Sequence, residues 1–467
     1  MSGSMPGRRQ ALRSLVAGSA LFPGIVSQLL AEQESDTPSD PLAPRPSHFP
    51  ARAKRVIFLY MSGGVSHIDS WDHKPKLFAD AGRTIPVTEF QGRKGDFQMF
   101  LKRPQWEFQK HGECGTEVSS LFPHMAECVD DLCVIRSMKS DHTNHYEATL
   151  GIHTGSFTFA RPSIGSWVSY GLGTLNRNLP SFVVIAPHSP YAGGQVWGSD
   201  FLPGAHQGTL VVPGPEPVAN IARRTPTSRL QELELAAMAR MNERHLRTRS
   251  QDPLLQARIR SFETAFGMQS EMPEVFDLSQ EDDATLEMYG LKRGSTDGFA
   301  WQCLVARRLA ERGVRFVELI DVGSSRNWDA HGDMLTHAPL AKNVDQPVAG
   351  LLKDLKRRGM LEDTLVVWTT EFGRTPFNSA AGAAGREHHH WVFSSWLAGA
   401  GVRPGMTWGE SDEYGIDVGR DVVHVHDFHA TILHLMGLNH EKLTWRQSGR
   451  DYRLTDVAGK IVDGILT

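Results

Sequence analysis

The sequence predicts an α/β fold: a doubly wound, mostly parallel sheet flanked by helices. Two observations predict it. Six short apolar runs are continuous rather than alternating: VIFLYM (Val56 to Met61), LCVIRS (Leu132 to Ser137), FVVIA (Phe182 to Ala186), RFVELID (Arg315 to Asp321), LVVWTT (Leu365 to Thr370) and VFSSWLA (Val392 to Ala398). That pattern suits strands covered on both faces. Helical patterns separate them, and the order helix, RFVELID, helix, LVVWTT is that of parallel strands joined by crossover helices.

At the N-terminus, Arg8 and Arg9 precede a weakly apolar stretch interrupted by Gly18, Pro23 and Gly24. Residues 1–31 resemble a twin-arginine signal and are too short and too broken for a comfortable membrane span. The expectation is export by the twin-arginine machinery to the periplasm or cell envelope, with cleavage near Ala31 or retention as an uncleaved membrane anchor. Residues 32–53 turn to Ser, Asp and Pro and read as a disordered spacer. The folded domain is expected over 54–467. Within it, 227–268 is charged and rich in Arg, Glu, Leu and Gln, the composition of a helical insertion outside the sheet. Gln302 to Gly313 repeats apolar residues at helical spacing, and Gly313 supplies the stop.

A chain of 467 residues with 40% apolar content has ample material for a large core. Its formal charge of -4 offers no basic footprint, so nucleic acid is excluded as an expected partner. Cys114, Cys128, Cys133 and Cys303 form no CxxC pair, which argues against a thiolate zinc cage. A disulfide among the first three and buried free thiols are both compatible with the spacing.

Ligands of open α/β sheets bind at the carboxyl ends of strands. After the first run comes SGGVSHIDSWDHKP, with His67, Asp69, Asp72 and His73. After RFVELID comes NWDAHGD, with Asp329, His331 and Asp333. LVVWTT ends at Glu371 in EFGRTP, which adds Arg374, and GREHHHW (Gly385 to Trp391) leads into the last run. Carboxylates and imidazoles without thiolates suit zinc, manganese or calcium, as one or two ions. Such ions polarise a phosphate or sulfate ester and activate the attacking group. In GREHHHW, residues entering a strand alternate faces, so His388 and His390 share a side and His389 turns away.

These segments, together with HYEATLGIHTG, WDAHG, HDFHATILHLMGL and GRDYRLTDVAG, resemble the alkaline phosphatase and sulfatase superfamily. The closest resemblance is to a twin-arginine-exported bacterial family described as domain of unknown function 1501. It covers nearly all of 54–467, and the EFGRTP and GREH pair is its most specific part. The resemblance implies that Asp69 binds one metal, that Asp329, His331 and His388 hold another, and that Glu371 replaces the aspartate of an Asp-His pair. Two departures stand out: the paired histidine is Phe372, and no Cys or Ser nucleophile pattern is present. His145 stands in the nucleophile's place, with Thr143 beside it.

Two functions follow. The first is a metal-dependent hydrolase of a phosphate or sulfate ester, on a small molecule or carbohydrate. Asp69, Glu371, Asp329, His331 and His388 would bind metal, Arg374 would neutralise ester oxygens, water or Thr143 would attack, and His145 or His67 would act as acid, base or further ligand. The second is a pseudoenzyme of the cell envelope that keeps the fold and a metal or ligand site without turnover. Trp71, Trp328 and the histidines 424, 426, 429 and 434 read as packing, Asp427 as a helix N-cap, and Arg386 with Glu387 as a solvated or supporting pair.

Overall fold

The structure, a computed structural model, describes residues 40–223, 225–248 and 253–467. The expected signal, 1–31, lies outside the described residues, as does the first part of the spacer.

Nine strands among the described residues build the main sheet: β1 (Arg55–Tyr60), β2 (Leu132–Lys139), β3 (Phe182–Ile185), β4 (Thr209–Val211), β5 (Phe316–Ile320), β6 (Thr364–Thr369), β7 (Phe393–Ala398), β8 (Met406–Trp408) and β9 (Val423–His424). The order across the sheet is β8-β2-β7-β6-β1-β5-β3-β4, and β9 also pairs with β2. Every predicted strand is present. All pairings are parallel except those of β7, which runs antiparallel to both β6 and β2. The predicted α/β class is therefore what the chain adopts, with one reversed strand.

Helices α1 (His145–Thr154), α2 (Ile164–Leu172), α4 (Pro253–Phe276), α5 (Gly298–Glu311), α6 (His337–Arg357) and α7 (Val425–Leu435) cover the two faces, and α3 (Ser228–Thr248) stands exposed outside them. The alternation of side chains along a strand divides the core in two. Ile57 and Leu59 of β1 pack in one cluster with residues of α4, α5 and α6, whereas Val56, Phe58 and Tyr60 pack in the other with α1, α2 and α7. Continuous apolar strands are the consequence, since both faces are buried.

The charged insertion forms α3 and α4. Helix α4 runs on to Phe276 and buries Met268, Met272 and Val275, so its second half belongs to the core. The spacer expectation needs correction from Asp40 onward. Arg45 N–H donates to the Leu172 carbonyl at 3.0 Å, His48 N–H to Gly437 at 2.9 Å, and Leu42 and Ala53 are buried. A stretch with no core of its own is ordered here by the domain's. Helix α7 also corrects a boundary: His424 is its N-cap, and Asp427 closes a capping box from the third helical position. All four cysteines are free thiols.

The strand polarity gathers the functional segments. The loops after β1, β2, β5 and β6 leave one edge of the sheet, and the antiparallel β7 starts at that edge. Gly63 and Gly64 follow β1 with φ of 113° and 79°. A Cβ on Gly63 would stand 2.7 Å from Trp328 N and 2.8 Å from Asp329 N, so only glycine lets this loop lie against the segment that carries Asp329.

Candidate metal centre

Three imidazoles converge on one carboxylate oxygen. Asp329 Oδ1 lies 2.9 Å from His331 Nε2, 3.2 Å from His388 Nε2 and 3.3 Å from His145 Nε2. Arg374 also donates to this oxygen, at 2.7 Å. His145 comes from the start of α1, which Asn144 caps by accepting from Tyr146 N–H. Asp329 and His331 follow β5, and His388 sits in a short strand, His388–His389, paired with Gly373–Arg374 after β6.

The far nitrogen of each ring is held by an oxygen. His145 Nδ1 is 2.7 Å from Glu371 Oε1, His331 Nδ1 is 2.7 Å from Glu387 Oε2, and His388 Nδ1 is 2.6 Å from the Thr143 carbonyl. A carbonyl accepts only from an N–H, so His388 carries its proton on Nδ1 and presents a bare Nε2. The two carboxylates favour the same tautomer in the other rings, the arrangement by which proteins orient metal-ligating histidines.

The convergence leaves a charge problem that a cation solves. A carboxylate oxygen offers about two lone-pair sites, and Arg374 fills one. At most one imidazole N–H can take the other. His331 and His388 nevertheless bring their Nε2 atoms within 2.9 Å of each other, and His145 Nε2 is buried without a hydrogen-bond partner. Bonds of 2.0–2.1 Å to one ion would separate neighbouring ligand atoms by about 2.9–3.4 Å, which matches these spacings. His145, Asp329 and His388 each offer a ligand atom in a group spanning no more than 4.8 Å. The residues fit a divalent metal.

The proton affinities follow from the same contacts. Burial pushes the Asp329 carboxyl up, but the three imidazoles beside it and the charge of Arg374 hold it far below the usual carboxylate range. Hydrogen bonds to Asp329 and Glu387 raise His331 to about 9. Burial lowers His145, yet Asp329 and Glu371 outweigh it and raise its pKa. His388 moves down, through burial and the charges of Arg374 and His145.

Several expected ligands stand elsewhere. Asp69 is fully buried, and its oxygens accept from Ser66 Oγ at 2.6 Å, Arg386 Nε at 2.7 Å and Gln105 N–H at 2.9 Å. It is the partner of a buried guanidinium rather than a member of the imidazole group. Arg386 is correspondingly not solvated: it also donates to the carbonyls of Thr375, Lys102 and Arg103, tying GREHHHW to the loops beneath it. Glu371 is fully buried too. It accepts from Tyr60, Gly63 N–H and Thr370 as well as facing His145, so it holds the His145 ring from outside the group around Asp329 Oδ1. Arg374 is fully buried and spends its nitrogens on Asp329 and on the carbonyls of Gly63, Gly64 and Arg386. Four of its five N–H donors are committed in this way, and at 0% exposure it presents no face to an ester.

His67 is buried against the Gly415 carbonyl and held down to about 4 by burial, away from the group. His389 is buried with Nε2 2.6 Å from the Ile416 carbonyl, which leaves His388 as the member of the triplet that reaches Asp329. Tyr191 escaped the sequence reading, and Glu387, read there as part of a solvated or supporting pair, takes the supporting role. Tyr191 stacks on the His145 ring at 4.2 Å, and Glu387 holds His331. A carboxylate immediately before the proposed ligand was the available signal for Glu387; none marks Tyr191. Trp71 and Trp328 are buried packing residues.

Among solved structures, the chain is similar to a protein in the alkaline phosphatase superfamily from Vibrio parahaemolyticus (10% identity, TM-score 0.38, 86% of this chain and 71% of that one). It is similar also to alkaline phosphatase from the Antarctic bacterium TAB5 (13% identity, TM-score 0.34, 84% and 99%) and to PsFucS1 sulfatase from Pseudoalteromonas sp. (12% identity, TM-score 0.34, 91% and 73%). No curated protein matches the sequence. Residues 53–466 match the family model described as protein of unknown function (DUF1501), and the chain belongs to that family.

Proposed function

We propose that this protein is an exported, metal-dependent hydrolase of phosphate or sulfate esters, acting at the edge of the sheet where β1, β2, β5 and β6 end. The observation that carries the reading is the convergence of three Nδ1-tethered imidazoles on Asp329 Oδ1. His145, Asp329 and His388 would hold one ion, with His331 beside them. Imidazole nitrogens with a single carboxylate suit zinc or another imidazole-binding metal better than calcium, which takes six to eight oxygens. With Asp69 and Glu371 committed elsewhere, the residues provide for one ion rather than two. A divalent ion there supplies Lewis acidity toward an ester oxygen.

The protein's own groups do the rest. Glu371, Glu387 and the Thr143 carbonyl hold the rings in register, and Arg374 holds Asp329. Thr143 is half-buried in the loop entering α1; its hydroxyl, or a water, would be the attacking group, displacing the alcohol of the ester. The Arg8–Arg9 leader carries the export reading; an Arg8→Lys, Arg9→Lys variant should stay in the cytoplasm.

A second reading, a metal-binding pseudoenzyme of the envelope, is favoured by one observation: Arg374 and Arg386 are both consumed internally, leaving neither to bind an ester anion. Metal analysis of purified protein, then assays with aryl phosphate, phosphodiester and aryl sulfate substrates, decides between them. Stoichiometric metal with turnover, both lost in Asp329→Asn and His388→Ala, supports the hydrolase. Stoichiometric metal without turnover supports the pseudoenzyme. A protein that takes up no zinc, manganese or cobalt refutes both.

A further inference from the structure

Helix α1 is enclosed from Ala148 to Thr154. A helix buried all round has no apolar-to-polar contrast to fix its rotation about its axis or its height along it. The location of His145 Nε2 depends on both.

Positions 145, 149 and 153 lie one above another on a single face. Each carries a polar group that meets a polar group of the sheet. His145 faces Glu371, which follows β6. Thr149 Oγ1 is 2.8 Å from the hydroxyl of Tyr60 on β1, which in turn donates to Glu371 Oε2 at 2.9 Å. His153 Nε2 is 2.8 Å from Oε1 of Glu318 on β5, its Nδ1 is 2.7 Å from the Thr149 carbonyl, and the Tyr60 ring meets its imidazole edge-on at 4.5 Å. Glu318, His153, Thr149 and Tyr60 are all buried, amid Phe58, Leu150, Ile152 and Phe316.

Resting on the reading of His145 as a ligand, we infer that Tyr60, Thr149, His153 and Glu318 are positioning residues, a buried polar seam that fixes the rotation and height of α1 and so sets His145 Nε2 against Asp329. A slip of one residue rotates the helix by about 100° and shifts it by about 1.5 Å. Thr149 Oγ1 would then lose Tyr60, and His153 Nε2 and Glu318 would lose each other; polar groups left unpaired in a buried interface are costly. An all-apolar interface tolerates such a slip by repacking. The seam forbids it and transmits the geometry of β1, β5 and β6 to the ring at the helix start.

The test uses the full chain and Co2+, whose absorption reports ligand geometry. Thr149→Val and Tyr60→Phe each delete one hydroxyl at nearly constant volume. Ile152→Val, which removes a methyl group from the same helix and no polar group of the seam, is the comparator for stability. Both seam variants should bind Co2+ at least tenfold more weakly and with an altered spectrum, while Ile152→Val lowers the melting temperature and leaves affinity and spectrum unchanged. Wild-type affinity and spectrum in both seam variants would overturn the inference. Should the wild-type protein take no Co2+, the hydrolase reading fails, and crystal structures of the two variants judge the seam. Retention of the 3.3 Å approach of His145 to Asp329 overturns it, and displacement of His145 supports it.

Discussion

Neutralising Asp69 separates a structural carboxylate from a metal ligand. In Asp69→Asn the Arg386 guanidinium keeps its charge and its carbonyl partners but loses its carboxylate, 2.7 Å away. The two side chains are 0% and 1% exposed, so solvent cannot compensate. Ser66 Oγ and Gln105 N–H are also donors to Asp69; the new amide N–H2 would be a donor facing the Arg386 and Gln105 donors, with only the Ser66 hydroxyl able to turn and accept from it. Breaking a buried pair in this way costs about 3–5 kcal/mol. Residues 53–466 form the matched domain, and at about 2.1 cal/mol/K per residue its unfolding entropy makes that loss a shift of roughly 3–6 °C in melting temperature. Differential scanning calorimetry at pH 7 measures the shift, and metal content is determined on the same samples. The expected outcome is a lowered midpoint with metal stoichiometry retained. An unchanged midpoint accompanied by loss of metal would refute the assignment and return Asp69 to the ligand set. The pair also has an acid signature. Burial raises the Asp69 carboxyl, but Arg386, Ser66 and Gln105 together bring it below its ordinary value; its contribution is therefore present above about pH 4 and lost as pH falls through the folded value, a loss the variant should not show.

Three further outcomes follow from the same geometry. His331, raised to about 9 in the metal-free protein, stabilises the fold fully below about pH 6.5 and progressively less up to pH 9; a metal must displace that proton, so zinc affinity measured by competition should rise across this interval, and His331→Ala should flatten the rise. Asp321 is buried between Trp328 Nε1 and Asn343 Nδ2 and pushed up to about 7 by burial, so it weakens the fold as pH climbs from about 4 to 7. Asp321→Asn should remove that slope in chemical denaturation, and an unchanged slope would refute it. Burial pushes the Cys128 and Cys133 thiols up to about 11 and 12 and Cys303 well above its usual value, while Cys114 is exposed. Iodoacetamide at pH 8 should therefore label Cys114 alone in the native protein, with the other three reacting only in denaturant, as peptide mass mapping would show.

The strands were legible because burial on both faces leaves a short, nearly continuous apolar run rich in β-branched and aromatic residues. The direction of β7 was not: Phe393–Ala398 reads the same from either end, and only its pairing with β2 and β6 shows the reversal. Among site residues, Asp329, His331 and His388 were visible as polar groups just outside strands, and the structure brings them together. Asp69 and Arg374 had the same local signature and opposite fates. What distinguishes them is the partner that reaches them, Arg386 for Asp69 and the Gly63–Gly64 carbonyls for Arg374, each more than three hundred residues away in sequence. A motif shows which groups are available; long-range hydrogen bonds decide which have a free lone pair.

The imidazole cluster also bears on the order of events in folding. His388 meets the Thr143 carbonyl across 245 residues of chain, and His145 meets Glu371 across 226. The complete group, with the oxygens that hold its rings, spans Thr143 to His388 and closes only once segments from across the sheet have met. Long-range closure therefore comes first, and a cation bound there as proposed would enter a finished sheet. Its stabilisation should appear almost wholly as slower unfolding, with the refolding rate the same in zinc as in chelator.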